Sequence, residues 1–216
     1  MQTTNYAKNE ELANSITHGF GVLMALVAAY ILLQKAYDLD IKYSVISTSA
    51  YIFGILFSYG SSTLYHAFAP GPKKKLFRKF DHAAIYIHIA GTYTPFCIIV
   101  LIDYEWWGYG LFIFTWLAAI LGVILSFTHL KGHSRLSTFC YVLMGSCVVI
   151  AIKTLYEALS SINPYSFYLL LGGGLAFIVG ALFYSLHKRP FMHSIFHVFC
   201  ILGSICHIIA IYYILI

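Results

Sequence analysis

The sequence predicts an all-α integral membrane protein, a seven-transmembrane-helix bundle, and three observations carry that prediction. First, 60% of the 216 residues are hydrophobic, against roughly 45–50% in soluble domains on a list that also counts glycine. Second, charged residues make up only 10%, where a soluble domain carries roughly 25%, and the mean hydropathy is +0.80. Third, the apolar residues form seven continuous runs, and a helix needs roughly 20 such residues to cross the hydrocarbon core. A water-soluble chain of this length keeps too much surface exposed to hide so many apolar side chains. Soluble enzymes, nucleic-acid binders and disordered proteins are excluded. A transmembrane barrel would instead alternate apolar and polar residues in short stretches.

The first run, Ile16–Leu33, follows Glu10 and Glu11 rather than a basic cluster. It is also too long for the apolar core of a cleaved signal peptide. Residues 1–14 are therefore expected to form a short cytoplasmic tail, and residues 15–216 a single transmembrane domain. The second run is Ser44–Phe68 and the third is Phe80–Ile102, in which Pro95 removes a helical hydrogen bond and predicts a kink. The fourth, Tyr109–Leu130, carries small residues at Ala118, Gly122 and Ser126; the sixth, Ser166–Leu186, carries them at Gly172, Ala176 and Gly180. Such stripes let helix backbones approach closely. Between these two lies Leu136–Leu155, and His193–Ile216 closes the chain. No soluble domain is expected at either end.

Orientation follows from the basic residues. With the N-terminus inside, ten of the thirteen fall on the cytoplasmic side: Lys8, Lys73, Lys74, Lys75, Arg78, Lys79, Lys131, Arg135, Lys188 and Arg189. Lys35, Lys42 and Lys153 are left outside, with Trp106 and Trp107 at the outer interface. The Lys73–Lys79 cluster reads as a topology signal, and contact with anionic inner-leaflet lipids follows from it. The C-terminus is then outside. The five cysteines all fall inside apolar runs without a CxxC pair, so they read as small buried hydrophobes.

Ionisable residues within a membrane are costly and direct attention to function. The chain has ten histidines, and their placement is informative. His66 ends the second run, Asp81 and His82 open the third, and His193 and His197 open the seventh. All lie at the same expected depth, on the inner side. His193 and His197, four apart, share one helical face. With His66 they supply three imidazoles and leave a fourth tetrahedral position open, the ligand count of a catalytic zinc site. Zinc lowers the pKa of its water and polarises carbonyls. Asp81 is then a candidate proton acceptor, and Ser62, one turn before His66, a candidate orienting group. The spacing lacks the glutamate of zinc proteases, whose mechanism is excluded. On spacing alone a second reading stands beside the metal site: interfacial histidines satisfied by water, carbonyls or phosphates. His88 lies on the face of Asp81 but deeper, and His207, ten residues after His197, could reach the interior but is expected to hydrogen-bond to a neighbouring helix. Glu11 and His18 are candidates for the inner mouth. His129, His133 and His187 border inner loops and read as ordinary interfacial residues.

These residues together resemble the bacterial haemolysin III-like family. The segment Glu11, Asn14, Thr17, His18, Gly19 matches its opening motif, and Ser61, Ser62, Tyr65, His66 the end of its second helix. Asp81 and His82 with Ala90, Gly91, Thr92, Tyr93, Thr94, Pro95 match its third helix, and His193, His197, Gly203, Ser204, His207 its last. The family is related to the adiponectin and progestin receptors, and more distantly to alkaline ceramidases. The resemblance implies seven helices around a zinc ion at His66, His193 and His197, an Asp81 that reaches the metal through water, and a place for Ser62 in the signature. The receptors' long N-terminal domain is absent, so hormone signalling does not carry over.

Three functions follow as expectations. One is a zinc-dependent hydrolase acting on a lipid amide or ester delivered from the membrane. Another is a non-enzymatic sensor or regulator linked to membrane lipid homeostasis, with structural zinc. The third is the pore-forming haemolysin of the family's name, against which the sequence offers no secretion signal and no amphipathic segment waiting to insert. Membrane lipids are the expected partners, nucleic acid is not, and the cell membrane is the expected location. Oligomeric state is not legible.

Overall fold

The computed structural model describes residues 6–39, 41–104, 106–128, 135–186 and 189–216. Lys131, Lys188, His129, His133 and His187 lie outside the described residues. Among those described there is no strand, and the helices are α1 (Lys8–Asp38), α2 (Ser44–Ala67), α3 (Pro72–Pro95), α4 (Trp107–Thr128), α5 (Arg135–Gly145), α6 (Ile152–Ile162), α7 (Pro164–Ser185) and α8 (Met192–Ile214). Helices α5 and α6 together make one crossing, so seven spans result. They form a ring: α4 packs on α3, α3 on α2, α2 on α1, α1 on α8, α8 on α7, and α7 on α6, with α5 bridging α7 and α3. The ring surrounds a cavity of about 350 Å³.

Six spans are long and apolar enough to cross a membrane on their own composition, and α2 is the exception. Its 24 residues include buried Ser44, Ser47, Thr48, Ser61, Ser62 and His66. These polar side chains face the bundle while Ile46, Phe53 and Leu64 face outward. Ser44 Oγ donates to the Ala36 carbonyl of α1 at 2.7 Å, which satisfies a hydroxyl that lipid could not.

Three expectations are corrected in detail. Helix α1 begins at Lys8, not near residue 15, because nothing in residues 8–14 breaks a helix and Glu10 Oε2 accepts from the Ala7 N–H at 3.2 Å. Residues 8–14 of the expected tail are therefore the first two turns of α1, and Asn14 is fully buried. The fifth span runs to Ile162 and is broken. After Gly145 the chain turns through Ser146 into a 3-10 segment, Cys147–Ala151, before α6. Tyr93 of α3 clamps this break, its hydroxyl donating to the Gly145 carbonyl at 2.8 Å and accepting from the Val148 N–H at 2.9 Å. On α7 the close approach is made by Gly173, since Gly172 is exposed and a Cβ at Gly173 would run into the ring of His207 and the Gly203 carbonyl.

At Pro95 the helix changes type where a kink is expected. Pro95 ends α3, and the next five residues, Phe96–Val100, form a π-helical turn closed by Leu101 N–H to Phe96 O at 2.9 Å. On α4 the small-residue stripe lets α3 in: a Cβ at Gly122 would overlap the Tyr86 ring.

Candidate metal centre

Three histidines meet at one end of the cavity. His66 comes from the last turn of α2, and His193 and His197 from the first turns of α8. One ring nitrogen from each lies within 4.8 Å of the others, and the side chains are buried, at 3%, 6% and 1% exposure. His66 Nε2 and His193 Nε2 are 3.2 Å apart. Two zinc–nitrogen bonds at a tetrahedral angle put their nitrogens about 3.3 Å apart, so the pair already has the spacing that the ion needs.

The other face of each ring is held from outside the cluster. His66 Nδ1 donates to Glu11 Oε2 at 2.7 Å. His193 Nδ1 meets the Tyr6 hydroxyl at 3.1 Å. His197 Nδ1 lies 3.2 Å from the Asn14 carbonyl and 3.1 Å from Thr17 Oγ1. A carbonyl and a carboxylate can only accept, so the Nδ1 atoms of His66 and His197 carry the protons. Their Nε2 lone pairs then face inward, the tautomer that a metal requires. The donor set fits zinc.

The outer partners come almost entirely from α1. Glu11 also pairs with Lys74 Nζ at 3.0 Å, and Lys74 donates to the Tyr65 and Phe68 carbonyls at 3.0 and 3.1 Å. Asn14 Oδ1 accepts from Ser194 Oγ at 2.6 Å. The His18 ring stacks on His197, with centroids 3.4 Å apart and planes at 15°, and both its nitrogens lack a hydrogen-bond partner among the described residues. Lys74 corrects the reading of its cluster as a topology signal alone. It is 1% exposed, and its ammonium pairs with the carboxylate that stands behind His66.

Asp81 and Ser62 both line the cavity beside the cluster. Asp81 does not join the three-histidine group; its carboxylate lies 3.5 Å from His82 Nδ1. His82 also lines the cavity, and its Nδ1 donates to the Arg78 carbonyl at 3.0 Å. His88 and His207 line the same cavity farther along. Sequence reasoning missed Tyr6, Thr17, Lys74 and Ser194 as partners. One signal was available: Lys74, Arg78 and Asp81 lie four and three apart on one face of α3, and a helix face that carries Asp81 to the cavity carries Lys74 inward too.

Comparison with known proteins places the chain in a family. The family described as haemolysin-III related matches residues 6–208, a stretch that includes every residue of the site. Hemolysin-3 of Bacillus cereus is 39% identical over 201 residues, covering 93% of this chain and 89% of the relative. Hemolysin-3 homolog of Bacillus subtilis (strain 168) is 38% identical over 195 residues, covering 90% and 89%. With its seven-span helical bundle and a match across nearly its whole length, the chain belongs to the haemolysin III family, as a multi-pass protein of the bacterial plasma membrane.

Proposed function

We propose that this protein binds zinc through His66, His193 and His197 and hydrolyses an amide or ester bond of a membrane lipid. One observation carries the reading: three inward-facing imidazoles, each held from behind, stand at the end of an apolar cavity that also contains a carboxylate and a hydroxyl. A bound zinc supplies Lewis acidity and a water that ionises near neutral pH. The chain's own groups do the rest. The apolar cavity wall admits hydrocarbon and excludes bulk water, which strengthens each polar contact within it. Asp81 takes the proton that the attacking water loses and returns it to the leaving amine or alcohol. Ser62 donates a hydrogen bond that orients the substrate. Glu11, through His66 Nδ1, keeps that ring in its ligating tautomer.

The test pairs metal analysis with turnover. Detergent-purified wild type should carry about one zinc per chain, the stoichiometry of a three-histidine catalytic site, and His193→Ala/His197→Ala should carry none. Asp81→Asn should keep the metal and lose hydrolysis. Zinc-loaded protein that releases no product from ceramide, phospholipid or lysolipid, while a ceramidase control does, sinks the hydrolase reading. A second reading is favoured by the origin of the ligands, since zinc would clamp α2 to α8 as a structural ion in a regulator. In that case His66→Ala lowers thermal stability and metal content and there is no turnover to lose. The relatives' printed name suggests lysis as a third reading, which lysis of erythrocytes by purified, detergent-free protein would support.

A further inference from the structure

One side chain of the metal centre stands outside the helical bundle. Of the three tyrosine rings described against His66 and His193, Tyr65 belongs to α2 and Tyr184 to α7, so the bundle fixes both. Tyr6 lies ahead of α1. Its ring packs on His66 and His193, with centroids 5.9 and 5.0 Å away, and its hydroxyl meets His193 Nδ1 at 3.1 Å. It lines the cavity and is itself only partly buried, whereas the three histidines beneath it are buried. Glu10, in the first turn of α1, holds it there. Glu10 Oε2 accepts at 3.2 Å from the Ala7 N–H, which belongs to the peptide that follows Tyr6, and Oε1 accepts from the Phe191 N–H at 2.7 Å. Both bonds are exposed, and such bonds open at little cost because water replaces the partner. Phe191 has φ 60°, a left-handed conformation that strains a bulky side chain.

We propose that Tyr6 is a lid on an aqueous entrance to the histidine cluster, latched by Glu10, through which a divalent cation enters and leaves. The lid opens when Glu10 releases the Phe191 N–H, the first turn of α1 frays, and His193 Nδ1 exchanges the Tyr6 hydroxyl for water. First turns fray readily, because their N–H groups have no partner within the helix. Fraying stops at Glu11, which Lys74 holds at 3.0 Å, and at Asn14, which accepts from Ser194 Oγ at 2.6 Å. Elsewhere the cavity is walled by residues such as Leu101, Leu111 and Leu155, across which a hydrated ion passes only at high cost. Closed, the lid keeps bulk water from the centre. The passage of a cation rests on the metal-site reading above; the lid itself concerns access to the three rings and stands with or without a metal.

The test uses detergent-purified full-length protein and follows zinc passing to and from a chromogenic chelator. Exchange through a lid runs by way of a minor open state, so release and uptake both scale with its population. Glu10→Ala should raise both rates about tenfold and leave the equilibrium affinity within about threefold. In a Tyr6→Ala background Glu10→Ala should add nothing, because no lid is left to release. Unchanged rates overturn the proposal. Faster release without faster uptake also overturns it, since Glu10 then acts on affinity, and so do additive effects of the two substitutions. A second measurement needs no metal: modification of the metal-free protein by diethyl pyrocarbonate, read residue by residue by mass spectrometry. Glu10→Ala should speed modification of His193 about tenfold and leave His207, ten residues beyond His197 on α8, unchanged. An equal rise at both residues is general loosening of the fold and overturns the lid. If wild type takes up no zinc, the metal-site reading fails, while modification of His193 still decides the lid.

Discussion

Replacing Glu11 by alanine separates two roles that one carboxylate performs. Its Oε2 accepts from His66 Nδ1 at 2.7 Å, and its Oε1 pairs with Lys74 Nζ at 3.0 Å. Removing one partner of a buried pair costs about 3–5 kcal/mol, because the other charge is left uncompensated. Here the Glu11 side chain is 17% exposed, and Lys74 keeps two carbonyl acceptors. The loss should therefore fall at the lower end, about 3 kcal/mol. Zinc affinity should drop about 10- to 100-fold, the usual effect of removing the group behind a ligating histidine. The double variant Glu11→Ala/Lys74→Met discriminates between the roles. It removes both charges, so stability should return close to wild type, while zinc affinity stays low because His66 still lacks its acceptor. Thermal unfolding in detergent reads the first quantity, and competition with a chromogenic chelator reads the second. If the double variant recovers zinc affinity together with stability, Glu11 acts on the fold alone and its role behind His66 is refuted.

Thr17→Val should weaken zinc binding less than Glu11→Ala, because His197 Nδ1 still has the Asn14 carbonyl at 3.2 Å; the same chelator competition ranks the two. Tyr93→Phe removes a hydroxyl that joins the Gly145 carbonyl to the Val148 N–H, two part-buried contacts, and should cost about 1 kcal/mol, read by thermal unfolding. Gly91→Ala should destabilise clearly, by about 1–3 kcal/mol, since its Cβ would meet the Ala50 carbonyl of α2 at 2.7 Å. Gly174→Ala, with nothing within 4 Å, should be neutral or slightly stabilising in the same assay.

The spans are legible in the sequence because hydropathy is additive along the chain and needs no partner. The histidine trio is legible for a related reason. HxxxH fixes two side chains on one helix face, and membrane depth, readable from span ends, aligns His66 with them. Elsewhere the information lies in tertiary contacts. Tyr6 meets His193 across 187 positions, and no local pattern announces such a pair. Sequence reasoning takes Glu11 only as far as the mouth, because its exposed-looking neighbourhood conceals that Lys74 folds in to neutralise it. The break after Gly145 occurs without proline; what holds it open is a tyrosine hydroxyl on α3, two spans away in sequence but adjacent in the bundle. Pro95 predicts a kink, and the backbone accommodates it by a wider turn instead.

The start of α1 sets a practical limit on how this protein can be handled. Tyr6 lies against the rings of His66 and His193, and Glu10 Oε1 holds the Phe191 N–H at 2.7 Å, where α8 begins from a left-handed residue. The segment just ahead of the first span is thus a strap over the histidines. Shortening the chain past Tyr6 would take its hydroxyl from His193 Nδ1 and its ring from His66, whereas a tag beyond Ile216 leaves the strap untouched.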